Sequence, residues 1–181
     1  MYTMSRGKEI INGGKLYLPV VSTGAEYLVM GHLMRRNILT YKAPPHNEGY
    51  DLICIHPDPC HKPRNTELAQ VRIQVKSRYQ TDCDRCFPLK KDSLGAFDFL
   101  VAVFLNIGMF FRKNRGLYGS KSSEFYTLPN EFVRGHHNTN TAWEKLGLKH
   151  LENEIEQYAG EAGFEQIAEA LGISKPIKVI L

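Results

Sequence analysis

Apolar residues recur along the chain at two spacings, which predict one helix followed by several strands. Residues 23–37 carry apolar positions at the helical period of 3.6. Thr23 and Glu26 have the spacing of a capping box, which predicts the start of this helix. Arg35 and Arg36 lie at its other end, where the helix dipole favours cations.

Five later segments have the patterns of β-strands. They span residues 38–43, 50–56, 68–79, 97–105 and 124–128. In the third segment, apolar Val71 and Ile73 alternate with polar Arg72 and Gln74, as expected of a strand with one buried face. The fourth, FDFLVAVFL, is apolar on both faces, which indicates a strand covered on both sides. The order predicts an α/β fold, with a mixed β-sheet flanked by helices.

The 181 residues suit a compact core with a short tail. We expect a nuclease-like core domain over residues 1–140 and a C-terminal helical appendage over 141–181, with helices at 141–159 and 164–171. The appendage is expected to pack on the core or in a dimer contact, using Leu146, Leu148, Leu151 and Ile155. No apolar run reaches the roughly 18 residues of a membrane helix, and the N-terminus lacks the apolar segment of a signal peptide. We therefore expect a cytoplasmic protein with no membrane partner.

Basic residues outnumber acidic ones by 23 to 19, for a net charge of +4 and a pI near 8.8. This balance favours a polyanionic partner. A cluster in the second half of the chain is the strongest candidate to bind one, and its members are Arg112, Lys113, Arg115 and Lys121. The pair His136-His137 is interpreted as part of a solvated basic loop.

An acid and a lysine lie where metal-dependent hydrolysis of a phosphodiester would need them. Such a reaction uses a divalent cation held by oxygen ligands, with a lysine able to reach the water or the phosphate. Asp51 opens the second predicted strand, and Gln74 and Lys76 lie two residues apart on the third, so they share a face. The backbone carbonyl of Val75 is a further candidate ligand, and Glu48 is an alternative acid.

These motifs resemble those of the PD-(D/E)xK nuclease superfamily over residues 22–130. The resemblance rests on Glu26 in the first helix, on Gly49-Tyr50-Asp51 after a turn, and on Gln74-Val75-Lys76-Ser77-Arg78-Tyr79. The QxK form is similar to that of restriction endonucleases directed at modified DNA and of some intron-encoded endonucleases. The acid in the helix resembles that of archaeal Holliday-junction resolvases. Two departures are the missing proline before Asp51 and the glutamine in place of the second acid.

The resemblance implies a restriction-endonuclease-like fold and a metal-dependent DNA endonuclease. In that family Asp51 and the Gln74-Val75 segment would bind Mg²⁺ or Mn²⁺, Lys76 would activate water or steady the phosphate, and Glu26 would assist the metal site. Cutting both strands of a duplex implies a homodimer. The residues expected to contact the DNA backbone are Arg78, Arg112, Lys113, Arg115 and Lys121.

Two alternatives remain open from the sequence. The departures from the family pattern also fit a nucleic-acid-binding module of the same fold with a weakened metal site. The second alternative is a zinc-stabilised interaction protein, because Cys83 and Cys86 have CxxC spacing and Cys60 and His61 could complete four ligands.

Overall fold

The computed structural model describes residues 20–45, 47, 49–79, 85–107, 121–138 and 144–173. The helices within them are α1 (Val21–Met34), α2 (Asn130–His136), α3 (Glu152–Ile155) and α4 (Gly160–Ala170), with 3₁₀ turns at Lys91–Gly95 and Glu156–Tyr158. The strands are β1 (Leu39–Lys42), β2 (Leu52–Ile55), β3 (Gln70–Arg78), β4 (Cys86–Pro88), β5 (Phe99–Phe104), β6 (Glu124–Pro129), β7 (His137–Asn138) and β8 (Lys145–Gly147). None of these helices is long and apolar enough to cross a membrane.

In the described part of the chain the strands form two sheets. The larger has the order β1-β2-β3-β5-β6, with β3 and β5 parallel and the other neighbours antiparallel. The smaller is antiparallel, in the order β4-β8-β7. The predicted α/β fold with a mixed sheet flanked by helices is confirmed. All five predicted strands are present, within two residues of the expected bounds.

The first face of the larger sheet is covered by α1 and α4. Their buried residues meet the apolar side of the alternating strands, because period two sends every second side chain to this face. The helices contribute Ala25, Val29, Leu33, Phe164 and Ile167, and the strands contribute Leu52, Cys54, Val71, Ile73, Val101 and Val103.

The second face is covered by the smaller sheet together with α2 and α3. The central strand β5 sends its other side chains here, so it is buried on both faces, as its sequence predicts. This second core comprises Phe87, Leu94, Phe97, Leu100, Ala102, Phe104, Leu128, Val133, Leu146, Leu148 and Ile155.

The capping-box prediction for the first helix is wrong. The helix begins two residues earlier than expected, at Val21, and its N-cap position is Val20, with no side-chain cap hydrogen bond. Thr23 is therefore inside the first turn and exposed. The carboxylate of Glu26 does not turn back to the helix start but pairs with Lys42 of β1.

The predicted tail helix over 141–159 is wrong in its described part. The segment instead forms the short strand β8, the four-residue helix α3 and a 3₁₀ turn. Leu146 and Leu148 are both fully buried, because their spacing of two places them on one side of an extended chain. The other predicted tail helix, over 164–171, is confirmed as α4, which packs against β6.

Candidate functional site

Asp51 lies just before β2, where three of its groups bond to neighbouring segments. Its backbone N–H donates to Ile73 O at 2.8 Å, and its backbone O accepts from Ala43 N–H at 2.8 Å. Its carboxylate Oδ2 accepts a hydrogen bond from the backbone N–H of Val75 at 2.7 Å. A carboxylate offers about four acceptor sites. The bond to Val75 therefore orients the group and leaves it able to bind a ligand.

The turn before Asp51 requires a glycine. Gly49 has φ of 98°, a conformation that L side chains rarely adopt, and a Cβ there would overlap the side chain of Ala96. Asn47 donates from its side-chain amide to Tyr50 O at 2.8 Å, which closes the same turn. The turn thus fixes the direction in which the chain enters β2. Glu48, the alternative acid, lies outside the described residues.

Gln74 lies on β3 between Ile73 and Val75, the two residues to which Asp51 bonds. The antiparallel register of β2 and β3 ends at the pair of Leu52 and Ile73, so Gln74 is one residue beyond it. Gln74 is only 8% exposed, and its Oε1 is buried without a hydrogen-bond donor among the described residues. An unsatisfied buried oxygen costs about 1–3 kcal/mol, so a bound donor or cation would recover that free energy.

The backbone of Val75 is directed toward Asp51. Its N–H bonds to Asp51 Oδ2 and not to a strand backbone, because regular pairing of β2 with β3 goes no further than Leu52. The N–H and C=O of one strand residue point to the same side. The carbonyl of Val75 is therefore directed past the end of β2, toward Asp51.

Lys76 is the third member of this group on β3. Lys76 is two residues from Gln74 and so lies on the same, second face of the sheet, where its register partner on β5 is Ala102. Burial lowers the pKa of the Lys76 amine, and the nearby negative charge of Asp51 raises it in part. Asp51 and Lys76 thus interact electrostatically, and Lys76 holds its proton less tightly than a solvated lysine.

Glu26 is held on the first face of the larger sheet by an ion pair. Its carboxylate pairs with the amine of Lys42, which also lies 5.5 Å from the ring centroid of Tyr27. Lys42 is the register partner of Leu52 on β2, the residue that follows Asp51. Lys42 shares the first face of the sheet with Leu52, so Glu26 approaches from the α1 side, whereas Gln74 and Lys76 project from the second face.

The oxygens collected at this end of the sheet suit a hard divalent cation. In the described part of the chain, no group of three or more His, Cys, Asp or Glu side chains could hold a metal ion. The candidate donors are instead one carboxylate, one amide oxygen and one backbone carbonyl, from Asp51, Gln74 and Val75. Mg²⁺ is commonly bound by one or two carboxylates and keeps several waters. The donor set therefore fits Mg²⁺ or Mn²⁺ and contains none of the soft ligands that zinc sites use.

The zinc alternative finds little support in the described residues. The ring of His61 stacks on His56 at 3.8 Å between centroids, and its Nε2 lies 3.3 Å from a carboxylate oxygen of Glu67. Cys86 lies in β4 opposite Gly147. The buried thiol of Cys54 has its pKa raised to about 12 by desolvation, so it stays protonated. Cys83 lies outside the described residues.

The residues expected to contact DNA fall into two groups. Arg78 is half-buried on β3, donates to Cys86 O and lies 5.5 Å from the ring centroid of Phe87. The side chain of Lys121 is exposed, and its backbone N–H donates to Asn106 O at 3.0 Å. Three of the predicted contacts lie outside the described residues, namely Arg112, Lys113 and Arg115.

Two residues near the candidate site were not predicted from the sequence. Lys42 ends a short strand and gives no sign in the sequence that it pairs with Glu26. Arg85 precedes a three-residue strand, too short for a periodic signal, and its guanidinium lies against Phe104 and Tyr126. Only the register of the sheets brings these residues to the site.

No protein-family model matches the chain, and no curated protein matches it. Among solved structures, the chain is similar to one described as a bacterial homing endonuclease, I-Ssp6803I, with 15% sequence identity and a TM-score of 0.44. The match covers 83% of this chain and 91% of the other. Similarity at this level is too weak to assign a function.

Proposed function

We propose that this protein is a metal-dependent DNA endonuclease that hydrolyses phosphodiester bonds, in the manner of the PD-(D/E)xK nucleases that its motifs resemble. The observation that carries the proposal is the buried Oε1 of Gln74, which lacks a donor among the described residues and belongs to the residue before Val75, whose N–H bonds to Asp51. A cation coordinated by Gln74 and Asp51 would compensate the cost of burying that oxygen.

Mg²⁺, or Mn²⁺ in its place, would be held by the oxygens of Asp51, Gln74 and Val75. When bound, such an ion polarises the phosphate and lowers the pKa of an attacking water. The bond from Val75 N–H keeps the Asp51 carboxylate oriented toward that position. Glu26 is paired with Lys42 on the first face, so it would assist this site only indirectly, from the other side of the sheet.

Lys76 would position the water or the phosphate. Its pKa is lowered by burial, so its amine can exchange a proton more readily near neutral pH than an exposed lysine can. The nearby negative charge of Asp51 favours the protonated amine and so opposes part of this lowering. A cation there also favours the binding of an anionic phosphate on the second face of the sheet.

DNA is the proposed substrate because the chain carries a basic excess, with a net charge of +4. Arg78 lies two residues beyond Lys76 on the same face. With Lys121 and the cluster Arg112, Lys113 and Arg115, it would bind the phosphate backbone without reading the bases. Cleavage of both strands would use two chains as a homodimer.

Conversion of supercoiled plasmid to nicked or linear DNA tests the proposal, with Mg²⁺ or Mn²⁺ and with EDTA. We expect activity only with the divalent cation. Asp51→Asn and Lys76→Met should each reduce the rate by about 100-fold or more, and Glu26→Gln should reduce it less. Lys62→Met, which removes a charge from an exposed loop, should leave the rate unchanged. Equal rates in the wild type, Asp51→Asn and Lys76→Met would show that the site is wrongly assigned.

A second candidate is a nucleic-acid-binding module of the same fold. It is favoured by the glutamine at position 74, which leaves Asp51 as the only carboxylate among the three candidate donors. This candidate predicts that the wild type binds duplex DNA but converts no plasmid with either cation. The plasmid assay therefore separates the two functions when it is paired with a binding measurement.

A further inference from the structure

The guanidinium of Arg85 lies on the second face of the larger sheet. The backbone O of Arg85 accepts from Leu148 N–H at 2.9 Å, which fixes the residue at the edge of the smaller sheet. Its Cζ lies 4.9 Å from the ring centroid of Phe104 and 5.6 Å from that of Tyr126. Arg85 therefore reaches from the smaller sheet to strands β5 and β6 of the larger one.

This guanidinium lacks an anionic partner within the described ranges. Its Nε and Nη2 are both buried, and neither finds an acceptor there. The Nε of Arg78 is likewise buried without an acceptor, although its Nη2 donates to Cys86 O. The two arginines lie against neighbouring rings, since Arg78 is over Phe87 and the rings of Phe87 and Phe104 are 5.6 Å apart. An arginine cannot release its proton, so the cost of these buried donors is removed only by an acceptor from elsewhere.

Arg72 shows how this fold satisfies an arginine that needs no ligand. It lies on the same face of β3, and its Nε and Nη2 donate to the Asp98 carboxylate at 3.2 and 3.0 Å. Its backbone N–H donates to the same carboxylate at 2.8 Å. We call the Nε and Nη2 of Arg85, which are buried without an acceptor among the described residues, its open donors. The contrast with Arg72 indicates that such donors are not a general property of arginines on this face.

The open donors adjoin the candidate site. In the sheet register Lys76 is next to Ala102, and Ala102 is next to Tyr126, one of the rings under Arg85. Arg78 is next to Phe104, the other ring. Lys76 and Arg78 therefore lie on the same face as Gln74, as do the rings under Arg85.

We propose that Arg85, together with Arg78, binds a phosphate of the DNA backbone adjacent to the one that is cut. The planar guanidinium matches the paired oxygens of a phosphodiester, which accept two parallel N–H bonds. The identity of the ligand as DNA rests on the proposed function, whereas the recognition of a phosphate anion rests on the open donors alone.

Binding of a labelled duplex, measured by fluorescence anisotropy in EDTA from 50 to 300 mM KCl (roughly the range where phosphate contacts dominate), tests this role without catalysis. Arg85→Met should weaken binding and reduce the slope of log Kd against log salt by about 0.9, the contribution of one phosphate contact. Arg85→Lys keeps the charge but loses the planar donors, so it should restore only part of the affinity. Arg64→Met removes the same charge from a side chain that is 85% exposed and should leave the slope unchanged.

Thermal unfolding in potassium phosphate and in potassium chloride of equal ionic strength gives a second readout that needs no DNA. An anion that binds the folded state raises its Tm, so phosphate should stabilise the wild type and Arg64→Met more than Arg85→Met. If the phosphate effect is equal in all three proteins, Arg85 is only a packing residue and the inference is wrong. This outcome is distinguishable from failure of the proposed function, in which phosphate binding depends on Arg85 but no plasmid is cut.

Discussion

Gln74 is a buried amide whose oxygen lacks a donor among the described residues, so its replacement separates stability from activity. Gln74→Leu removes the unsatisfied oxygen at similar volume, and we expect the free energy of unfolding to stay equal or rise by about 1–2 kcal/mol. Cleavage should be lost, because an apolar side chain offers the cation no ligand. Urea denaturation and the plasmid assay measure the two effects.

Thr127 provides the matched control for this substitution. It is fully buried on β6, and its Oγ1 also lacks a partner among the described residues. Its side chain lies on the first face of the sheet, because its register partner Val101 does. Thr127→Val should therefore stabilise the protein similarly and leave cleavage unchanged. A Gln74→Leu protein that still cuts plasmid would contradict the role of Gln74 in binding the cation.

The lowered pKa of Lys76 predicts a pH-dependent effect on stability. The folded state holds the Lys76 proton less tightly than the unfolded state, whose pKa is near the ordinary 10.5. Folding is therefore opposed by the charged lysine below the folded-state pKa, and this cost disappears as the pH rises to the unfolded value. In EDTA, Lys76→Met should raise Tm at pH 7, and the difference should shrink toward pH 10.5. A constant difference across this range would contradict the burial of a charged amine.

Spacing in the sequence placed the candidate site residues on two neighbouring segments but did not indicate their partners. Asp51 bonds to Val75, between Gln74 and Lys76, and interacts electrostatically with Lys76. The roles assigned to them stay predictions. Lys42 and Arg85 could not be predicted, since their contacts depend on the register of β1 and on the docking of a second sheet.

Replacement by alanine should change the free energy of unfolding in opposite directions at two glycines, one in a turn and one in a helix. Gly49 has positive φ and faces Ala96, so Gly49→Ala should lower the free energy of unfolding by about 2 kcal/mol. Gly31 is in α1 with nothing within 4 Å of its missing Cβ, so Gly31→Ala should raise it by about 0.5–1 kcal/mol. Urea denaturation of both variants measures this difference. If both variants lose stability, the helical environment assigned to Gly31 is wrong.

The strands of the larger sheet were predictable from the sequence, and those of the smaller sheet were not. The nine-residue strand β3 repeats its alternation several times, and β5 is apolar throughout. The strands of the smaller sheet have two or three residues each, which is too few for a period to be visible. A helix was expected over residues 141–159, where Leu148, Leu151 and Ile155 have helical spacing. Packing of Leu146 and Leu148 under the larger sheet determined the extended conformation instead.

At the scale of the whole molecule, three of the tail residues predicted to form a dimer contact are not available for one. Leu146, Leu148 and Ile155 are buried within the chain's own second core. Among the described residues, several large apolar side chains are exposed elsewhere. On α1 they are Tyr27 at 57%, Leu28 at 44% and Met34 at 48%, and Tyr41 on β1 is 52% exposed. Among the described strands, β1 is at an edge of the larger sheet and has a neighbour on one side only.

A homodimer formed through α1 and β1 would place two cutting sites on one duplex. Tyr27 and Met34 are seven residues apart and so share a face of the helix, and burial of both in a second copy would remove their apolar surface from water. We expect the wild type to sediment as a dimer of the 20.6 kDa chain and to produce linear plasmid. The double variant Tyr27→Lys, Met34→Lys should sediment as a monomer and accumulate nicked circles. Leu68→Lys changes an exposed residue outside α1 and β1 and should remain dimeric, whereas a monomeric wild type that linearises plasmid in one binding event would rule the dimer out.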